Sequence, residues 1–216
     1  MERSFEHSIQ IRSGKRFWPL DPRVEEIDIH DIAHALSNIC RFTGHCLKFY
    51  SVAEHSVYIS MFCPPEYALW GLLHDASEAY LVDVPRPIKP LLLNYKAAED
   101  RLMELICEKF DLQKEMPDCI KQLDYDIIGN ERDQIMAPPL VPWGNQSSGI
   151  PGLVIQCWSP EEARDLFIRR FWELYHGYDI DWVTKHSFGN TSVNIDPVDV
   201  KLNRQVDSWD LWTSDN

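Results

Sequence analysis

The chain has 216 residues, 44% of them hydrophobic, with eight tryptophans and a formal net charge of −13. That length suits one domain with an elaboration at one end, and the apolar content supplies a substantial core. The acidic excess argues against a polyanionic partner such as duplex DNA, and no apolar run is long enough to span a membrane. The opening stretch MERSFEHSIQIRSGKRF lacks the apolar segment and small-residue cleavage site of a secretory signal, which sets the expectation of a cytoplasmic protein. Six cysteines are scattered without a C-x-x-C pair, a pattern expected of reduced thiols. Charge is unevenly spread. Arg41, Lys48, Arg86, Lys89 and Lys96 balance Glu54, Glu66, Asp75, Glu78 and Asp83 between positions 41 and 96. This neutral segment suits a small anion, whereas a nucleic acid polymer would meet repulsion over most of the surface.

In chain order, residues 28 to 40 carry Ile29, Ile32, Ala33, Leu36 and Ile39 at helical spacing. Ser51 and Glu54 make a capping-box pair, so a helix begins at Ser51 and His55 falls near its start. A third helix is predicted from the Pro64-Pro65 pair to about Leu81, where VPRPIKP ends it. Further helices are predicted from Tyr95 to about Phe110 and from Pro117 to about Met136. Residues 137 to 152 form a Pro/Gly/Ser loop, and LVIQCW reads as a short strand. A last helix starts at Ser159 as cap, Pro160 in first position and acids in the first turn, and stops before Gly177. Residues 185 to 216 read as an arm whose order depends on something receiving Trp209 and Trp212. The class is mostly α.

The third helix carries the unusual chemistry. Its apolar run ends in His74-Asp75, with Glu78 and Asp83 following. His74 and Glu78 are four residues apart and share a helix face, while Asp75 projects about 100° away. Adjacent His and Asp can still converge on one ion, and a mixed imidazole and carboxylate set suits Mn, Co, Fe, Ni or Zn. Two ligands are too few, so other helices must contribute. His55 is available from one, and Asp124 or Asp126 from another. Asp124 lies four residues from both Ile120 and Ile128, on the apolar face, and Asp126 lies opposite, which makes Asp124 the better ligand. Glu131 falls near the same face, although its neighbour Arg132 suggests a structural ion pair.

A second pair, His30-Asp31, forms an H-D-x-x-H face with His34 that could itself hold zinc. Only His7 lies upstream as a partner, so helix packing and capping is the better reading. His45 follows a glycine in a predicted turn, either as a phosphate contact or as a solvated loop residue.

The order His55, His74-Asp75, Asp124 resembles the HD-domain metal-dependent phosphohydrolases. CRF followed by SVAEHS, then LLHDASEAYLVDVPRPIK and LDYDIIGNERDQIM, is similar to the 5'-deoxynucleotidase branch and its phage relatives, including dATP triphosphohydrolases. The resemblance spans roughly residues 28 to 136, with a looser match through SPEEARDLF. It implies a helical bundle core over residues 1–136, a loop, short strand and packed C-terminal helix over 137–184, and an arm over 185–216.

The resemblance further implies His55, His74, Asp75 and Asp124 as ligands of a divalent metal, with Mg admitted beside the ions above. It implies Glu78 and Asp83 in catalysis. Arg41 is implied to grip phosphate, Phe42 to pack on sugar or base where relatives usually carry Trp, and Lys89 to sit near phosphate. The chain departs from the family at Phe42, in RFTGHCLKFYS and in its long C-terminal region, which bears on the substrate. Removal of a 5'-phosphate from a deoxynucleoside monophosphate and release of triphosphate from a dNTP are both open. So are a non-catalytic nucleotide-binding protein and a phosphodiesterase acting on a cyclic or signalling nucleotide. The expected partner is a small nucleotide, with no membrane, in a homo-oligomer.

Overall fold

A computed structural model describes residues 3–176 of the chain. Its organising element is α2, Val52–Phe62, in which every residue from Val52 to Ser60 is buried, polar and apolar alike. A helix covered on all sides belongs in the middle of a bundle. On one side lie α1 (Ile29–Asn38), α3 (Ala68–Leu73), α5 (Leu93–Lys109) and α7 (Pro160–His176). Their core joins Ile32, Leu36, Val52, Val57, Leu72, Leu102 and Phe167. On the other side α6 (Asp118–Ile135) and the segment after it bury Ile120, Ile127, Ile135, Ile150, Leu153 and Ile155 against Tyr58 and Ile59. The protein is predominantly α-helical, and α2 separates two apolar cores.

Side-chain caps explain the starts of α1, α2 and α7. Asp28 caps α1 by accepting the His30 N–H at 2.8 Å, and Ser51 caps α2 by accepting that of Glu54 at 3.1 Å. Ser159 and Glu162 form a reciprocal capping box at the start of α7, with bonds of 2.9 and 3.2 Å. Glu54 does not reciprocate its cap. Its carboxylate instead accepts from the Tyr58 hydroxyl and the backbone N–H groups of Gln156, Cys157 and Trp158. Burial pushes Glu54 up to about 7 against the pull of these donors.

Two expectations from sequence need correction. The predicted strand at LVIQCW is irregular backbone, because among the described residues no strand lies beside it. Its N–H groups are satisfied instead by the side chains of Gln134 and Glu54. The predicted helix from Pro64 to Leu81 is broken. A single 3-10 turn, Pro65–Tyr67, leads into α3, and four residues of turn separate α3 from α4, Glu78–Leu81. Through the break the backbone tightens to i→i+3 bonds, Ala76 to Leu73 and Glu78 to Asp75, each 3.0 Å. The His74 ring bonds to the Gly71 carbonyl at 2.8 Å, the same carbonyl that a continuing helix would offer to the Asp75 N–H.

The N-terminal segment contains a small hairpin that the sequence did not announce, β1 (Ile9–Gln10) pairing antiparallel with β2 (Arg16–Phe17). Phe17 is fully buried and stacks on Tyr80 with centroids 4.0 Å apart. Between the strands, the Ser13 N–H and hydroxyl donate to Asp31 at 2.8 and 2.9 Å, fastening the hairpin to α1. The Asp31 carboxylate is thereby occupied in packing. The loop after α6 is fastened too. Asn145 and Ser147 bond to the Tyr125 and Asp126 carbonyls, and the Arg132 guanidinium donates to the carbonyls of Asn145 and Ser147. All six cysteines are free thiols. Among the described residues no helix is long and apolar enough to cross a membrane. The predicted arm, with Trp209 and Trp212, and Gly177 lie outside the described residues.

Candidate metal centre

The polar residues inside α2 meet polar residues from α3 and α6. Gly71 allows the close approach of α3, since a Cβ there would stand 3.2 Å from both Cys63 Sγ and the Ser60 backbone. His74 at the end of α3 therefore reaches His55 in α2. Their Nε2 atoms lie 3.2 Å apart, both rings buried. Asp124 comes from α6, its Oδ1 3.3 Å from His55 Nε2. One donor atom from each of His55, His74 and Asp124 falls within 4.8 Å of the others. Asp75, carried inward by the turn after α3, places Oδ2 3.2 Å from His74 Nε2 and 3.7 Å from His55 Nε2.

Each imidazole has its far nitrogen engaged. His74 Nδ1 lies 2.8 Å from the Gly71 carbonyl, an acceptor only, so it must donate there. His55 Nδ1 lies 3.0 Å from Glu131 Oε1, which is fully buried. Both Nε2 atoms are left to point at one place, the arrangement in which outer partners orient metal-binding histidines. Two imidazoles and carboxylate oxygens around that place fit a divalent cation of intermediate softness. Without a cation, two nitrogens that would both be acceptors face one another and two carboxylates. The electrostatics reflect that crowding. Burial and the Arg41 charge push His55 down, but Asp124 and Glu131 outweigh them and raise it to about 8. Burial works to raise Asp124 and Asp75, and the histidines beside them hold both below the usual carboxylate range.

Glu131 is the residue beside the candidate centre that sequence reasoning misplaced. It does not pair with Arg132, which pairs with Asp133 at 2.7 Å. Glu131 instead bridges His55 and the Arg41 guanidinium, whose Nε lies 3.0 Å from Oε1. Its seven-residue spacing from Asp124, two turns along one face of α6, was the available signal. Arg41 is placed by backbone pairing, with its N–H donating to the Tyr50 carbonyl at 2.9 Å and Val52 donating back to Ile39 at 3.0 Å. Its Nη1 also stands 3.6 Å from Asp75.

Glu78 is buried at the start of α4, and Lys89 Nζ sits 3.9 Å from it and 2.6 Å from Glu99. Burial, then the neighbouring charges of Asp75 and Asp83, push Glu78 well above the ordinary carboxylate range. Asp83 is half-buried and raised, chiefly by burial. It follows Val82, whose backbone at φ 74°, ψ 151° is a conformation β-branched residues rarely adopt. Arg86 reaches Asp124 at 3.3 Å. Phe42 is half-buried beside Arg41, whose guanidinium carbon is 5.6 Å from its ring centre. His45 is exposed, and its N–H closes the turn on the Phe42 carbonyl.

Among the described residues the other His-Asp pair shows no such convergence: Asp31 accepts from Ser13, and the His30 N–H donates to the capping Asp28 carboxylate.

No family model matches the chain. It is 39% identical over 170 residues to the uncharacterized protein YfdR of Escherichia coli (strain K12), an alignment covering 77% of this chain and 94% of that protein. It is 34% identical over 186 residues to an uncharacterized protein of Rhodobacter capsulatus, covering 74% and 92% respectively. The chain belongs to the family of these two bacterial proteins.

Proposed function

We propose that this protein is an HD-domain metal-dependent phosphohydrolase acting on phosphate esters of nucleotides, deoxynucleotides first among them. The observation that carries the reading is the convergence of two Nε2 atoms and the Asp124 carboxylate, with each far imidazole nitrogen already engaged. His55, His74, Asp124 and Asp75 are the residues that would hold the ion. A divalent cation supplies Lewis-acid stabilisation of a phosphoryl group and a water of lowered pKa.

The chain's own residues divide the remaining work. Arg41 carries a planar fork suited to phosphate oxygens, held in place by Glu131. Glu78 and Asp83, both near enough to Asp75 to feel its charge, are the carboxyl groups able to hold or move a proton at the leaving oxygen, a contribution of roughly 10²–10⁴-fold in general. Lys89 lies beside Glu78 and adds positive charge where the phosphate arrives.

Protein stripped of metal and reloaded with Mn or Co, incubated with a panel of dNMPs and dNTPs, tests this reading. Release of inorganic phosphate from the monophosphates assigns a nucleotidase, and release of triphosphate from the dNTPs assigns a triphosphohydrolase. Absence of any turnover from metal-loaded protein that binds nucleotides would leave a binding protein and overturn the enzymatic reading.

A further inference from the structure

We propose that Trp143, in the loop that follows α6, is the residue that recognises the base of the nucleotide. This rests on the phosphohydrolase reading for the position of the phosphate, but the contact itself is argued from separate observations. The first is the turn at Arg41–Gly44. Phe42 and Thr43 hold φ near 53° and 54°, and Gly44 follows at φ 80°. Left-handed backbone is uncommon for a bulky aromatic residue and a clear outlier for a β-branched one, and such strain gathers at functional sites. The result is that Phe42 stays half-exposed beside Arg41 instead of joining either core.

The second observation is what Phe42 meets. Trp143 lies with its ring centre 6.0 Å from that of Phe42, the planes inclined at 56°. It too is half-buried, although both neighbours Pro142 and Gly144 are exposed and Leu140 and Val141 stand free in solvent. The loop is not loosely hung. Gly129 in α6 approaches Gly149 so closely that a Cβ on Gly129 would run into that backbone, and Asn145 and Ser147 bond to the carbonyls of Tyr125 and Asp126. Trp143 is thus registered to α6, the helix that carries Asp124, while Phe42 is registered to Arg41. The two rings make a corner spanning the two elements that flank the metal centre.

A flat heteroaromatic base fits such a corner, stacking on one ring and meeting the other edge-on, both favoured aromatic geometries. The Arg41 guanidinium stands 5.6 Å from the Phe42 ring centre and 3.6 Å from Asp75, next to both the corner and the candidate centre. A nucleotide whose phosphate reaches Arg41 therefore has its base on the aromatic side, separated by its sugar. A phosphate ester without a base would leave the corner empty.

The test measures dissociation constants for dAMP and for 2-deoxyribose 5-phosphate on Mn-loaded protein, by equilibrium dialysis. Trp143→Ala is expected to weaken dAMP binding about tenfold and to leave the sugar phosphate unchanged, with Trp143→Phe restoring most of the loss. Manganese content, read by elemental analysis, should be the same in all three proteins. Equal weakening of both ligands would make Trp143 a packing residue and overturn the proposal. So would an unchanged dAMP affinity, or wild-type protein that binds the two ligands equally. Selective loss of dAMP binding in Trp143→Ala, in a protein that hydrolyses no nucleotide, would overturn the enzymatic reading alone and uphold the role of Trp143.

Discussion

The chain contains the dipeptide His-Asp twice in the described residues, and the two copies have opposite fates. At positions 30 and 31 the aspartate is spent on Ser13, fastening a hairpin to α1, and the histidine lies in the first turn of a regular helix. At positions 74 and 75 the helix stops, the histidine ring bonds back to Gly71, and the aspartate swings toward His55. A regular helix would set the two side chains about 100° apart. The difference shows that a dipeptide becomes a candidate ligand pair only where the backbone lets both side chains face one point and other elements bring partners to it. His30-Asp31 sits in a regular helix, and among the described residues no cluster of metal-ligating side chains gathers around it. His74-Asp75 has an interrupted helix, and α2 and α6 supply His55 and Asp124.

The strongest way to break this comparison is to remove one ligand from each pair. His74→Ala is expected to abolish stoichiometric binding of a divalent metal, measured by elemental analysis after dialysis, and to abolish any metal-dependent turnover. His30→Ala should leave the metal content of the protein as it is. Equal metal loss in both variants would sink the assignment of the centre.

A subtler cut separates the partners of the two pairs. Glu131→Gln keeps the shape but weakens the hold on His55 Nδ1 and on Arg41, and it should lower metal affinity about 10- to 100-fold in a competitive chelator titration. Asp31→Ala, in contrast, should cost about 1–3 kcal/mol in urea denaturation, because it removes two hydrogen bonds from Ser13 to a buried carboxylate, without changing metal affinity. A metal affinity that drops in Asp31→Ala by as much as in Glu131→Gln would erase the distinction between the pairs.

The smallest expected effect concerns the backbone that follows the second pair. Val82→Gly relieves a conformation costing about 1–3 kcal/mol and gives back about 0.5–1 kcal/mol in unfolded-chain entropy. Thermal stability should rise by a few degrees while the placement of Asp83 loosens, so that turnover falls with metal content unchanged. A drop in melting temperature would show that Val82 is not strained.

The starts of α2 and α7 were legible because their caps act over three residues, as Ser51 and Ser159 do here. The members of the centre were legible through residue type and order, since imidazoles and carboxylates on apolar helix faces are expensive unless they are used. The break after Leu73 was not. LLHDASEAYL carries no proline or glycine within it, and nothing local distinguishes it from a continuous helix. Glu131 was misassigned for a related reason. Arg132 is its neighbour in sequence, but side chains adjacent on a helix point in different directions, and Arg41 reaches it from 90 residues away. The LVIQCW segment had the composition of a strand and found a buried carboxylate instead of a partner strand.

What the sequence by itself determined, then, is whatever short-range chemistry decides: an α-helical class, the caps, the apolar faces and the stock of possible ligands. The tertiary structure decided which of these became a site. Bringing His55 to Glu131 spans 76 residues, and bringing Glu54 to Trp158 spans 104. Such contacts form only when two cores close on opposite sides of α2 and shut water away from its polar residues. Once they are dry, each buried donor and acceptor must find a partner, and that requirement selects the pairings that sequence neighbours alone do not reveal.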